Sequence, residues 1–308
     1  MNIELQTGPN DSGRRLDRIL RKALPQQPLS LIHRLLRQKK ILVNGIPANA
    51  EDRIQAGVII QCELMVNEKK PVREKPVSNL DLPLPEILWQ GSGIMVLNKP
   101  QGITTHGPNS LDTIVTAYLA DSLPPSLSFK PGPLHRLDKQ TSGAIAFSRT
   151  LNGARLFTRL MREKKITKKY LAIVTGCIDK TELWQDTLFR DTYTKKTFIT
   201  GDNDGKQSCT TVRQLAANGE YSLIEAVIVT GRTHQIRAQA AAHGHPLAGD
   251  KKYGGHDGTF MNGFFLHAMS MEFSKDSTDT FPSIITAPLP QSFIHKITAL
   301  FGKNVKVT

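Results

Sequence analysis

Residues 134–149, LHRLDKQTSGAIAFSR, join a charged segment to a short apolar run through a Thr-Ser-Gly turn. In an extended segment alternate residues share a face, so Arg136 and Asp138 are predicted to point one way while Leu137 points into the core. Residues 144–149 are then predicted to enter a sheet as a buried strand. This stretch therefore predicts a single carboxylate fixed just before a buried strand enters the sheet.

The predicted carboxylate stands among basic side chains. His135, Arg136 and Lys139 lie within three residues of Asp138. A nearby cation favours the charged carboxylate and opposes the effect of burial. From these residues alone, an ordinary surface ion pair between Arg136 and Asp138 explains the pattern equally well.

The charge of the whole chain indicates a polyanionic partner. The 308 residues carry a formal net charge of +13, and between Arg14 and Lys40 nine Lys or Arg accompany one acid, Asp17. A basic surface of this kind is typical of nucleic-acid binding. Three scattered cysteines argue against disulfides or structural zinc and favour a cytoplasmic location, and no apolar run is long enough to span a membrane.

The chain length suggests two domains. Residues 1–67 predict a small α/β unit whose elements are a helix at 14–24, a helix at 31–39 capped by Ser30, a hairpin at Asn44-Gly45 and a strand at 57–64. The basic helix faces provide the candidate RNA-binding residues Arg15, Arg18, Lys22, Arg34, Arg37 and Lys40.

Residues 68–85 are rich in Pro and charge and predict a linker, which leaves 86–308 as one larger domain. Its predicted strands are 94–98, 144–149, 170–178 and 221–230, and its predicted helices are 110–120, 151–164 and 233–243. Because the strands do not alternate regularly with helices, the fold class is predicted to be α+β with a mixed or antiparallel sheet.

Two further segments are candidates for the site. In residues 230–246, Thr233 is predicted to cap a helix whose first turn carries Arg237, which suits an anion: a phosphate or the carboxylate of Asp138. The histidines there lack acids at ligand spacing, so no metal is expected. Residues 162–170 place Lys165, Lys168 and Lys169 beside Tyr170, a combination used in single-strand recognition, although a Lys-rich helix end followed by a strand explains it too.

These segments resemble the motifs of the RluA-like RNA pseudouridine synthases. Residues 135–143 (HRLDKQTSG) resemble the catalytic signature, and the first 70 residues resemble an RNA-binding domain shared with a ribosomal small-subunit protein. The other similar segments, in chain order, are VLNKPQGITTHG (96–107), KKYLAIVTG (168–176), GRTHQIRAQAAAHGHPLAGDKKYG (231–254), FFLHAMSMEF (264–273) and ITAPLP (285–290).

The resemblance implies that a uridine is detached at N1, rotated and rejoined through C5, without a metal or cofactor. Asp138 matches the catalytic residue, Arg237 its basic partner, and Tyr170 the aromatic that stacks on uracil. Leu266 matches an apolar residue beside the base, and Arg136 the side chain near the flipped nucleotide. His135 and Lys169, which adjoin these residues in sequence, are further candidates for substrate binding. Whether Asp138 attacks covalently or removes a sugar proton stays open.

The N-terminal unit favours ribosomal RNA as the substrate, and the expected enzyme is a monomer without a nucleotide cofactor. Three alternatives remain. One is a transfer-RNA pseudouridine synthase. A second is a glycosidase that cleaves the base and stops, since an Asp beside a sugar also serves that reaction. The third is an RNA-binding assembly factor without catalysis, suggested by the basic N-terminal helices.

Overall fold

The computed structural model describes residues 2–63, 83–201, 204–255, 263–277 and 280–305. The predicted linker, 68–85, lies almost entirely outside these residues, and the proposed boundary at residue 67 is outside them as well. The residues before and after it form two separate sheets, which are called here the N-terminal unit (residues 2–63) and the larger unit (residues 83–305).

The N-terminal unit contains two helices and six short strands. The helices are α1 (Leu16–Ala23) and α2 (Leu29–Arg37), and the strands are β1 (Asn2–Gln6), β2 (Arg14–Arg15), β3 (Ile41–Val43), β4 (Ile46–Pro47), β5 (Arg53–Ile54) and β6 (Ile59–Glu63). The sheet order is β1-β6-β3-β4, with a separate β2–β5 pair. Apolar residues at helical spacing, such as Ile19 and Ile32, are buried against Ile60, which leaves the basic side chains outside.

The sequence predicted both helices, the hairpin and β6 of this unit, but missed β1, β2 and β5 and misplaced the helix starts by two residues. The hairpin is confirmed, because Asn44 and Gly45 both have positive φ, 49° and 80°, as its tight turn requires. Helix α2 begins earlier than predicted, after Pro28, and Ser30 lies inside its first turn without capping it. Proline at this boundary is compatible with the helix because it lacks an N–H to satisfy.

The larger unit is built on one sheet of eleven strands. The strands are β7 (Ile87–Gly91), β8 (Ile94–Lys99), β9 (Gly132–Pro133), β10 (Ser142–Ser148), β11 (Ile166–Thr175), β12 (Glu182–Arg190), β13 (Thr197–Ile199), β14 (Lys206–Ala217), β15 (Tyr221–Ile228), β16 (Leu266–Phe273) and β17 (Ile284–Thr286). Their order is β13-β12-β14-β15-β11-β16-β10-β8-β7, with β17 paired to β16 and β9 to β10. Only β10 and β16 pair in parallel among the described strands, so the predicted α+β class is confirmed.

Four helices cover both faces of this sheet: α3 (Leu111–Leu119), α4 (Leu151–Arg162), α5 (Gln235–Ala242) and α6 (Gln291–Phe301). Alternate residues of β8 and β10 divide between the faces. Leu97 and Phe147 pack with residues of α3 and α5, whereas Val96 and Ala146 pack with Phe157 of α4. The predicted helices 110–120 and 151–164 are confirmed within two residues.

The sequence predicted strands β8, β10, β11 and β15 but missed the others, including β16 between β11 and β10. Strand β11 begins at Ile166, four residues before the predicted 170. Strands β12, β13 and β14 were not predicted, because their sequences mix polar and apolar residues without clear alternation. Within the described residues, no helix combines the length and apolar character that crossing a bilayer requires.

Candidate active site

Asp138 lies in the short connection between β9 and β10, where Leu137 fixes the backbone. Leu137 is buried, its N–H donates to Thr105 Oγ1 (3.2 Å), and its carbonyl accepts from the same hydroxyl (2.8 Å). The Asp138 carbonyl accepts from Thr141 N (3.1 Å) and closes the turn into β10. The predicted alternation is confirmed: Leu137 faces the core, while Arg136 and Asp138 line a cleft.

Gly143 allows the two parallel strands to meet beside Asp138. Its φ is +107°, and a Cβ there would lie 2.2 Å from the carbonyl oxygen of Ala268 on β16. Only glycine fits such a close backbone approach with this φ. The pairing of Gly143 with Ala268 places Leu266, the first residue of β16, in the wall of the same cleft.

Arg237 on α5 binds Asp138 and a second carboxylate. Its Nη1 donates to Asp138 Oδ2 (2.9 Å), while Nε and Nη2 donate to Asp250 Oδ2 and Oδ1 at 2.6 and 2.8 Å. Burial alone opposes the arginine charge, but Asp250 and then Asp138 outweigh it and raise the pKa of Arg237. The guanidinium is therefore a permanent cation with a fixed orientation. The predicted contact between Arg237 and Asp138 is present.

His234 precedes α5 in the left-handed conformation, at φ 54° and ψ 25°. The helix is thus capped at His234 and not at the predicted Thr233, whose carbonyl accepts from Thr197 Oγ1. The Nε2 atom of His234 lies 3.7 Å from Asp138 Oδ1, and Nδ1 lies 2.8 Å from the Tyr253 hydroxyl. Burial lowers the pKa of His234 to about 4 despite Asp138 nearby, so the ring is neutral at neutral pH.

Tyr170 and Leu266 form the apolar side of the cleft opposite Arg237. Tyr170 on β11 is 5% exposed, and burial together with the Asp138 charge raises its pKa, so its ring stays neutral. The space between these groups continues into a wider groove that Arg136 and Arg232 also line.

Two neighbouring lysines lie in different environments. Lys169 pairs with Glu272 (2.7 Å) and is not among the residues that line the cleft or the groove, so its contact with substrate stays a prediction. Lys168, predicted to bind RNA, is 3% exposed and lines the groove, where burial lowers its pKa to about 8. The sequence could not assign the two lysines to faces because the strand start was placed too late.

His135 also differs from a surface ligand. Its Nε2 accepts from Ala146 N (3.1 Å), and its ring stacks on Phe157 at a centroid distance of 6.1 Å. Burial, and then the Lys168 charge, lowers the pKa of His135 to about 3. The ring therefore stays neutral. It holds the backbone of β10 at Ala146, and part of it lines the groove.

The remaining predicted RNA-binding residues divide into two groups. Four are exposed and form no ion pair with a described residue: Arg18, Lys22, Arg34 and Arg37. Three have acidic partners: Arg15 with Asp17 (3.0 Å), Lys40 with Glu63 (3.6 Å), and Lys165 with Glu163 and Asp276 (3.7 Å each). The second group has less charge to offer a polyanion, since each cation is partly neutralised.

Sequence reasoning missed two groups that support the site. Asp250 orients Arg237, and the residues GDKKYG that contain it had been quoted only as part of a motif. Lys99 is fully buried, donates to the carbonyls of Pro100, Lys139 and Thr141, and has a pKa lowered to about 7 by burial, against the pull of Asp138. Only the three-dimensional pairing of these segments reveals either role.

Comparison with known proteins agrees with this geometry. The family model described as RNA pseudouridylate synthase matches residues 93–242, and the S4 domain model matches residues 14–60. Ribosomal large subunit pseudouridine synthase C of Pasteurella multocida is 33% identical over 89% of this chain and 86% of its own length. The chain belongs to the RNA pseudouridylate synthase family. Ribosomal large subunit pseudouridine synthase C of Escherichia coli K12 is 31% identical to this pseudouridylate synthase over 87% of this chain and 88% of its own length.

The fold of this pseudouridylate synthase also matches a solved structure. Human RNA Pseudouridylate Synthase Domain Containing 1 superposes with a TM-score of 0.56 at 23% identity, over 72% of this chain and 90% of that one. This likeness concerns the fold. With the family model and the relatives, it identifies the larger unit as the pseudouridylate synthase fold and the N-terminal unit as an S4 domain.

Proposed function

We propose that this enzyme isomerises specific uridines of large-subunit ribosomal RNA, with Asp138 as the catalytic residue. The observation that carries the proposal is the ion pair between Asp138 and Arg237 in a cleft that Tyr170 and Leu266 also line. The names of the similar bacterial enzymes support ribosomal RNA over transfer RNA. The S4 domain gives the chain a second place to hold RNA.

The reaction rearranges one nucleoside and leaves its mass unchanged. The N1–C1′ bond breaks, a C5–C1′ bond forms, and a proton is lost from C5 while N1 gains one. Asp138 assists either as a nucleophile or by taking a sugar proton, and each role requires a free carboxylate oxygen. Arg237 binds Oδ2, whereas His234 Nε2, at 3.7 Å, is the one ionisable partner of Oδ1 among the described residues, so Oδ1 is the atom assigned to substrate.

Binding requires the uridine to leave its stack, which costs a few kcal/mol. Tyr170 and Leu266 offer the displaced base an apolar surface, and stacking on an aromatic ring is worth about 1–3 kcal/mol per base. Arg136 is exposed at the mouth, where it can occupy the space that the base vacates. Together these contacts offset the cost of extrusion.

We also propose that the enzyme is a cytoplasmic monomer that uses no nucleotide or metal. Because a transfer-RNA substrate and an assembly role without catalysis suit a basic surface too, the test must measure product directly on ribosomal RNA.

The test compares wild type with Asp138→Asn on in-vitro-transcribed large-subunit ribosomal RNA. The wild type is expected to form a mass-neutral pseudouridine, and the variant to form none while binding the RNA within a few fold. Undiminished turnover by the variant would overturn the role of Asp138. A free base and an abasic site in the wild-type reaction would indicate a glycosidase, and no product at all would favour an assembly factor.

A further inference from the structure

The N-terminal unit is attached to the larger unit through the buried carboxylate of Asp11. Asp11 is 0% exposed. It accepts hydrogen bonds from Ser126 Oγ (2.7 Å), Leu127 N and Ser128 N (2.9 Å each) across the junction, and also from the Ser128 hydroxyl. Burial opposes its ionisation, but the bonds from Ser128 and Ser126 outweigh this and lower the pKa of Asp11. A charged acceptor with this many donors makes a strong and specific contact.

Other contacts define the same junction. Asn10 Oδ1 accepts from Leu151 N (3.0 Å), the first residue of α4, and Arg14 Nη1 donates to the Ser128 carbonyl (3.0 Å). A Cβ on Gly8 would lie 1.9 Å from the Pro125 carbonyl oxygen, so the two backbones meet without a gap. The N-terminal unit is therefore placed directly at the beginning of α4.

Three arginines lie along the exposed face of α4: Arg155, Arg159 and Arg162, called here the arginine ridge. Their spacing of four and three residues puts them on one side of the helix. Helix α4 contains no Asp or Glu, and none of the three arginines forms an ion pair with any residue in the described part of the chain. At about 1.5 Å per residue, neighbouring members are separated by roughly 4.5–6 Å along the helix axis.

The arginine ridge connects the two places where RNA is expected. At one end the Arg155 guanidinium approaches Gly13, and the nearby charges of Arg155 and Arg18 add to the effect of burial that lowers the pKa of Arg14. At the other end Arg162 lines the same groove as Asp138. A row of cations repels itself, and an RNA backbone relieves that repulsion.

We propose that the arginine ridge binds the phosphates of the substrate RNA between the S4 domain and the cleft, and that the Asp11 junction fixes the distance between them. The proposal rests on the proposed function for the identity of the RNA. It assigns to α4 a role in selecting the target, because a site bound by the S4 domain then determines which uridine reaches Asp138.

The test removes two charges from the ridge and two from elsewhere. Arg155→Gln/Arg159→Gln is compared with Lys180→Gln/Lys303→Gln, whose exposed lysines follow β11 and α6 and are not among the residues that line the groove. The probe is in-vitro-transcribed large-subunit ribosomal RNA, and binding is measured against salt concentration. The slope of log K against log salt is expected to fall by about 0.7–0.9 per lost phosphate contact in the ridge variant and to stay at the wild-type value in the control.

The contact between the two units is tested separately with Gly8→Ala, because the added Cβ would clash with the Pro125 carbonyl oxygen. The variant is expected to lose affinity for the long RNA while its turnover of a short hairpin carrying the target uridine is kept. Equal salt slopes for the two double variants would overturn the proposal that the arginine ridge binds phosphates. Unchanged affinity for long RNA in Gly8→Ala would overturn the proposal that the junction fixes the distance between the S4 domain and the cleft. If wild-type enzyme forms no pseudouridine, the proposed function fails while the salt slopes still decide the ridge.

Discussion

Two aspartates, one at the junction and one in the cleft, show how surroundings decide what a carboxylate does. Asp11 is fully buried and receives hydrogen bonds on both oxygens from neutral donors. Asp138 is 14% exposed, has one oxygen bound by Arg237, and keeps the other toward the cleft. A carboxylate whose acceptors are all satisfied holds structure together, whereas one left partly unsatisfied beside a fixed cation is available for chemistry.

Replacement of Arg237, the cation of the cleft, is expected to have the largest effect on stability and turnover. Arg237→Met would leave Asp138 and Asp250 buried without a partner, and breaking such a pair costs about 3–5 kcal/mol. We expect chemical denaturation to show a loss of this size, together with loss of turnover. Lys180→Met, at an exposed position without an ion pair among the described residues, is the control. Wild-type stability in Arg237→Met would contradict the assigned electrostatics.

The junction aspartate should behave differently when its charge is removed. Asp11→Asn keeps the shape but turns one acceptor into a donor that faces N–H and O–H groups. We expect a destabilisation of about 1–3 kcal/mol, measured by urea unfolding. Turnover of a short hairpin should persist, because Asp138 and Arg237 lie outside the junction. Loss of that turnover would show that the cleft depends on docking.

His234 makes the cleft sensitive to acid in a way the junction is not. Its folded pKa of about 4 lies below the ordinary value near 6.5, so between these values the unfolded chain binds a proton that the folded chain does not. Stability therefore falls as pH drops from about 6.5 to 4, by at most about 1.4 kcal/mol per pH unit for this residue. His234→Asn, which suits the left-handed backbone, should show a shallower decline than wild type.

Asp11 has the opposite kind of linkage to pH. Because its folded pKa is lowered, its stabilisation is present at neutral pH and is lost as pH falls through that folded pKa, below the range where His234 titrates. If the stability of wild type and His234→Asn fell with equal slope between about pH 6.5 and 4, His234 would not be the cause of the decline in that range.

The smallest expected effect concerns the surface of the N-terminal unit. Arg34 and Arg37 are exposed without ion pairs in the described structure, whereas Lys40 pairs with Glu63. Arg34→Gln/Arg37→Gln should reduce the salt slope of RNA binding by up to about 0.7 per contact, and Lys40→Gln by less. Filter binding over a range of salt concentrations measures both, and a larger effect for Lys40→Gln would contradict this ranking.

The sequence predicted what depends on neighbouring residues. The alternation around Leu137 placed Asp138 in the cleft, and Asn44-Gly45 predicted the hairpin, because local φ/ψ preferences and burial decide both. The contact between Arg237 and Asp138 was expected as one of two alternatives and through family resemblance. The hairpin and the alternation need no knowledge of how distant segments pair, whereas the Arg237–Asp138 contact joins residues 99 positions apart.

What the sequence did not predict depends on distant segments. Asp11 meets Ser128 across 117 positions in the chain, and no local pattern indicates that contact. His234, in its left-handed conformation, contacts the Tyr253 hydroxyl 19 positions away, and the different environments of Lys168 and Lys169 depend on the register of β11. Each of these outcomes is fixed by tertiary packing and not by local preference.

Asp138, with one oxygen held by Arg237 and the other open, is proposed to catalyse the conversion of uridine to pseudouridine in large-subunit ribosomal RNA. Pseudouridines are to be mapped in that RNA from cells with the gene, without it, and with Asp138→Asn expressed at the wild-type level. The account predicts particular sites that disappear on deletion, return with wild type and stay absent with the variant. Restoration of those sites by Asp138→Asn would contradict it.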